Sequence, residues 1–285
     1  MSSRPTDQYF VRNTWVLYAV GAFAAVSRIC IRLWTTRRLV LDEIIMFFSL
    51  LCWTVDTTCI VVTVQKGTNQ LTDAQRATIS EEESRQRQIG SKAFISAWYG
   101  YITMIWGCKL CVWLFYKRVT DRVAHPKAMR YSLYTLGVTY AACILSISLV
   151  CHPLSGNWQI KPDPGREFLP FSPNTCFRMR ADRGPAQCTN GYHYVWIVGI
   201  LNILTDFMLL AIPLPMVVRL RVSPSRKILL VGLFSLGLFV IIATILRIYF
   251  TIAGGNIANM TFWSMIGNTP FPRSYLKTCK LIPPA

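Results

Sequence analysis

The chain has 285 residues, of which 53% are hydrophobic and only 15% are charged, and its mean hydropathy is +0.37. A soluble domain carries about 25% charged residues; here the charges are missing from blocks of roughly 20 residues, the length that crosses a bilayer. Because backbone groups in hydrocarbon must pair within their own segment, these blocks predict helices. The net charge of +17 fits basic loops on the cytoplasmic side, so we expect no nucleic-acid partner.

The apolar blocks predict an all-α fold, a polytopic transmembrane helical bundle with six clear spans. Residues 1–13 are polar and predict an extracellular N-terminus without a cleavable signal peptide, followed by a transmembrane domain over residues 14–266. Residues 65–92 have balanced charges and no apolar period, which predicts a solvated loop. Glycine, proline and lysine over residues 267–285 predict a truncated or degenerate seventh helix and an atypical tail. The predicted spans are about 14–34, 43–64, 94–116, 131–151, 193–218 and 228–253.

The loops after spans one, three and five are short and densely basic, which predicts that they lie in the cytoplasm and that the N-terminus is outside. The long loop after span four then faces the oxidising side, where disulfides persist. We expect a disulfide between Cys151 and Cys176, with Cys176–Cys188 as the rival pairing. Asn259 begins an N-glycosylation triplet that also falls outside.

Ionisable residues inside membrane helices are costly and mark candidate functional positions. Arg28, Lys109 and Asp206 each lie about 20 Å from the outer end of their predicted helices, at 1.5 Å per residue, and could share one layer. Asp56 lies nearer the middle of its helix. We hypothesise that Asp206 pairs with Lys109 or with Arg28. This layer either only holds the bundle together or also hosts a polar ligand or a proton.

An ordered set of residues runs through the predicted spans and their loops. It resembles the fungal seven-helix rhodopsin-domain integral membrane proteins, the satratoxin-cluster-protein-like family, which is related to receptor-like proteins of plant-pathogenic fungi. The similarity covers about residues 12–264. The residues that carry it are Arg28, Arg38 and Asp42-Glu43; Lys109 and Tyr116-Lys117-Arg118; Cys151-His152-Pro153, Trp158 and Cys176; Asn202, Asp206, Pro213, Pro215 and Leu220; and Lys227, Gly237 and Arg247.

The resemblance implies a receptor-like or sensory protein of the plasma membrane or an endomembrane, within a lipid bilayer and with a small-molecule ligand. The alternative that it leaves open is a membrane-embedded enzyme or accessory protein of a fungal secondary-metabolite cluster of the mycotoxin type. The chain departs from the family pattern at Asp42-Glu43, where two aspartates are usual, and after Trp263, where a glutamate is expected.

Several other functions find no motif in the sequence. There is no phosphate-binding glycine loop, no nucleophile elbow and no zinc-protease motif, so the sequence favours a non-enzymatic role without settling it. The three histidines are far apart in the chain, and we expect no metal and no cofactor. We expect no retinal either, since the late lysines Lys277 and Lys280 lie beyond any predicted span.

Overall fold

The computed structural model describes helices throughout and no strand within the residues that it covers. These are residues 5–37, 41–69, 71, 73–120, 126–149, 154–161, 192–212, 237–238, 240–246 and 248–249. The α-helices are α1 (Pro5–Thr36), α2 (Leu41–Lys66), α3 (Asp73–Thr78), α4 (Glu81–Thr120), α5 (Pro126–Leu149) and α6 (Tyr192–Ala211). A short 3-10 helix spans Leu154–Asn157. Residues 237–238, 240–246 and 248–249 are also helical and are called the late helical segment.

Four helices are long and apolar enough to cross a membrane: Gln8–Thr35, Leu41–Lys66, Lys127–Leu149 and Tyr194–Ala211. The prediction of six clear spans is therefore not supported; the described residues support four. The predicted span 94–116 does lie in α4, but Lys109 and several tryptophans and tyrosines keep α4 out of this apolar set. The predicted span 228–253 is described only within the late helical segment, and residues 267–285 lie outside the described part of the chain.

The bundle is organised around α4, which packs most extensively against α2 and also contacts α5 and α6. Small residues let α2 and α4 approach closely, as is common between membrane helices. A Cβ atom on Gly107 would lie 2.2 Å from Oγ of Ser49, and one on Gly100 would lie 3.1 Å from the carbonyl oxygen of Cys52. The core beside this contact is rich in aromatic side chains from α4, so its face towards the bundle is a wide, partly polar surface.

The predicted loop 65–92 is instead largely helical, and that prediction was wrong. Ser80 caps α4, since its Oγ accepts a hydrogen bond from the backbone N–H of Glu83 at 3.2 Å. Ser80 and Glu83 have the spacing of a capping box, and the acidic first turn suits the positive end of the helix dipole. Helix α4 therefore begins 13 residues before the predicted start at residue 94. The N-terminal side of the bundle differs as well, because α1 already begins at Pro5.

Residues 154–161 pack onto this helical region and make one polar cap with it. The Asn69 side-chain amide donates to the carbonyl of Asn157 at 2.7 Å, and Arg76 donates to the carbonyl of Ile160 at 2.8 Å. Ile160 is only 2% exposed, so the cap has an apolar centre of its own. Two segments far apart in the chain, on either side of spans three and four, thus cover the same end of the bundle.

Candidate functional site

A buried lysine lies at the contact between α4 and α6. Lys109 is 4% exposed, and its Nζ donates to the carbonyl of Asn202 at 2.9 Å, to Oγ1 of Thr205 at 2.9 Å and to Oδ1 of Asp206. Asn202, Thr205 and Asp206 have the i, i+3, i+4 spacing that places side chains on one face of a helix. This face of α6 therefore presents two side-chain acceptors and the backbone carbonyl of Asn202 to a single cation.

Lys109 uses its whole hydrogen-bonding capacity on these three acceptors. An ammonium group has three protons to donate, and each of the three goes to an acceptor of α6. The ring of Trp106 adds a cation–π contact, with its centroid 5.6 Å from Nζ. A buried charge is tolerated in hydrocarbon only with such complete pairing, so Lys109 holds α4 to α6.

The network continues into the late helical segment. Nδ2 of Asn202 donates to Oγ1 of Thr244 at 2.9 Å, and the Thr244 hydroxyl in turn donates to the carbonyl of Val240. We call Lys109, Asn202, Thr205, Asp206 and Thr244 the Lys109 cluster. It joins three helical elements through side chains that are mostly buried.

Two acceptors of the Lys109 cluster remain unmatched among the described residues. Oδ1 of Asn202 and Oδ2 of Asp206 are buried, and neither has a hydrogen-bond partner there. A narrow cleft lined in part by Asn202 has room for about one water molecule. Its polar lining comes from Asn202, Thr244 and Tyr101, and its apolar lining from Val195, Val198, Gly199 and Ile248.

A second charged cluster lies where α1 ends and α2 begins. Arg118 of α4 donates two hydrogen bonds to Asp42, from Nη2 to Oδ1 at 2.6 Å and from Nη1 to Oδ2 at 3.2 Å. Arg28 lies 3.6 Å from the same carboxylate, and Arg32 lies 3.5 Å from Oε1 of Glu43. Arg28, Asp42 and Glu43 are all buried. Because three helices supply the charges, this cluster ties α1, α2 and α4 together.

The structure distributes the predicted polar layer over three levels. Of the two hypothesised pairings it makes the one between Asp206 and Lys109, and it places Arg28 with Asp42 instead. Asp56 packs near Gly100, at 3.4 Å between its Cβ and a Cβ built on that glycine. Gly100 lies nine residues from Lys109, or about 13 Å along α4, so Asp56 belongs to a separate level.

Other predicted site residues lie outside the described part of the chain, namely Cys151, Cys176 and Asn259. The six cysteines that the structure does describe are free thiols in or between the helices. Among the described residues, no group of three or more histidine, cysteine, aspartate or glutamate side chains could hold a metal ion. The contacts that the described site does show are buried ion pairs and hydrogen bonds.

The model of the fungal rhodopsin domain matches residues 27–269, which is most of the chain. This protein belongs to the fungal rhodopsin domain family. The matched region contains every residue of both charged clusters, because it begins at residue 27, just before Arg28. Comparison with curated proteins and with solved structures gave no match.

Proposed function

We propose that this member of the fungal rhodopsin domain family is receptor-like and responds to a small molecule at the Lys109 cluster. The observation that carries the proposal is a buried network with more acceptors than donors. Lys109 has no proton left to give, while Asn202 Oδ1 and Asp206 Oδ2 have no partner among the described residues. A buried acceptor without a donor costs about 1–3 kcal/mol. A molecule that brings a hydroxyl or amide N–H to these oxygens recovers that free energy.

A molecule bound at these oxygens would affect three helical elements at once. Asn202 stands between Lys109 on α4 and Thr244 on the late helical segment. A ligand shifts a conformational equilibrium only through its different affinity for the two states. If the ligand donates to one buried acceptor in only one of the two states, and this hydrogen bond contributes about 1.4 kcal/mol, the ratio of the two states shifts about tenfold.

The proposed orientation has the N-terminus outside. Arg37, which follows α1, and Lys117, in the last turn of α4, are exposed basic residues, as expected for cytoplasmic ends. The Cys151–Cys176 disulfide and a glycan on Asn259 are then proposed for the outer side. Glycosidase treatment should change the electrophoretic mobility of the wild-type protein but not that of the Asn259→Gln protein, which would support this orientation. A wild-type protein without a glycan would contradict the glycan proposal.

A matched pair of threonine variants tests the receptor role. Thr244 and Thr135 both donate to the backbone carbonyl four residues earlier, at 2.9 Å, but only Thr244 also accepts from Asn202. A deletion strain should lose a transcriptional response to external small molecules. We expect Thr135→Val to restore that response and Thr244→Val to fail, at equal protein levels in the membrane.

Two results would contradict the receptor role. The deletion strain could respond normally to every extract that changes transcription in the parent strain. It could also accumulate a biosynthetic intermediate that wild-type protein removes, which would indicate an enzyme. Equal restoration by Thr244→Val and Thr135→Val would instead remove the Lys109 cluster from the proposed response.

A further inference from the structure

Within the described residues, one end of the bundle presents basic side chains without exposed acidic partners. Arg37 directly follows α1, Lys117 and Arg118 lie in the last turn of α4, and Lys127 and Arg130 lie in the first turns of α5. We call these five residues the basic rim. All five are exposed, and the Arg118 side chain is 41% exposed although it is hydrogen-bonded to Asp42.

Contacts between the helices place the members of the basic rim at the same end. Arg118 bonds to Asp42 at the start of α2, next to the end of α1. Trp113, one turn before Lys117, donates from Nε1 to the carbonyl of Met129 at 3.2 Å, which fixes the start of α5 beside the end of α4. Lys117 also lies over the Trp113 ring, 5.7 Å from its centroid.

Of the five rim residues, the buried acids of this end pair with Arg118 alone among the contacts of the described residues. Asp42 and Glu43 are 4% and 2% exposed and are already compensated by arginines, with Arg28 and Arg32 added to Arg118. Among the described residues at this end, no acidic side chain is exposed. The surface that remains is therefore positive.

The opposite end differs in its charge pattern. There the exposed acids Glu81 and Glu82 stand among exposed bases such as Lys66, Arg85 and Lys92. The basic rim is thus a local feature of the fold and does not follow merely from the net charge of +17.

Apolar side chains flank the basic rim. Trp34, one turn before Arg37, is 84% exposed, and Leu33 is also exposed. Exposed tryptophans are typical of the level where a membrane helix meets lipid headgroups. An occupant of this surface must carry negative charge and must also tolerate the apolar helix faces, and a phospholipid meets both conditions. We propose that the basic rim binds the headgroups of anionic phospholipids.

Quenching of tryptophan fluorescence by brominated lipids tests the proposal on the full chain. The protein is placed in nanodiscs that contain brominated phosphatidylserine or brominated phosphatidylcholine, and the relative binding constant is measured. We expect a preference for phosphatidylserine that weakens as salt is raised. Lys127→Gln with Arg130→Gln should reduce the preference roughly fivefold for each charge removed. Lys127→Arg with Arg130→Lys should keep it.

The matched control removes one lysine and one arginine from the opposite end. Lys66→Gln with Arg85→Gln has the same change in net charge and should leave the preference unaltered. Equal loss in both pairs, or no loss with Lys127→Gln and Arg130→Gln, would overturn the proposal. The proposal would also be overturned if the wild-type protein showed no salt-sensitive preference for phosphatidylserine. This measurement does not depend on the folding of any variant. A rim that binds a short RNA but shows no lipid preference would also overturn it.

Discussion

Replacement of Lys109 by methionine should destabilise the bundle strongly. Methionine is unbranched and only one atom shorter, but it removes the charge and three hydrogen bonds, so the Asp206 carboxylate stays buried without its cation. Removing one partner of a buried ion pair costs about 3–5 kcal/mol. Single hydrogen bonds between membrane helices average only about 0.6 kcal/mol, so the unpaired charge dominates the expected loss. Lys92→Met, which removes an exposed lysine from the same helix, should cost far less.

A double-mutant cycle separates the pair from the rest of the site. Asp206→Asn leaves the lysine charged and should cost a similar amount, whereas Lys109→Met with Asp206→Asn has no unpaired charge. We expect the double variant to be more stable than the sum of the single changes by about 1–3 kcal/mol. Unfolding in mixed micelles with increasing denaturing detergent gives the free energies. Additive losses would refute the view that Lys109 and Asp206 stabilise the fold as a unit.

Three further substitutions and one control substitution test the contacts that shape the bundle. Gly90→Ala would place a Cβ 1.9 Å from the carbonyl oxygen of Gly67, so it should lower thermal stability, while Gly137→Ala has open space and should be neutral or stabilising in the same assay. Asp42→Asn leaves buried arginine charge without its carboxylate and should cost about 3–5 kcal/mol of unfolding free energy. Ser80→Ala removes the cap of α4 and should cost about 1 kcal/mol, with faster hydrogen exchange confined to its first turn.

The sequence predicted the apolar helices well because hydropathy is a local property. The predicted span 43–64 lies within Leu41–Lys66, and 131–151 closely overlaps Pro126–Leu149. The sequence-based prediction failed where a helix extends beyond its apolar segment. The start of α4 at Glu81 has no apolar period, and the signal that could have found it is the spacing of Ser80 and Glu83.

The candidate site was only partly predictable for a different reason. Depth along each helix suggested that Lys109, Asp206 and Arg28 share a layer, but depth does not reveal which helices are neighbours. The structure places Arg28 against Asp42 at the start of α2. Asp42 was noted only as part of a family pattern, and the role of Thr205 as an acceptor requires the α4–α6 contact to be known.

Helix α4 connects the two charged clusters through its geometry. Lys109 and Arg118 are nine residues apart, which is about 2.5 turns, so they project from opposite faces of the helix. Lys109 accordingly pairs with Asp206 on α6, whereas Arg118 pairs with Asp42 on α2. A rotation or shift of α4 must therefore change both ion pairs together. Disturbing either pair costs several kcal/mol, so the ligand proposed for the Lys109 cluster and the lipid proposed for the basic rim would act on the same helix.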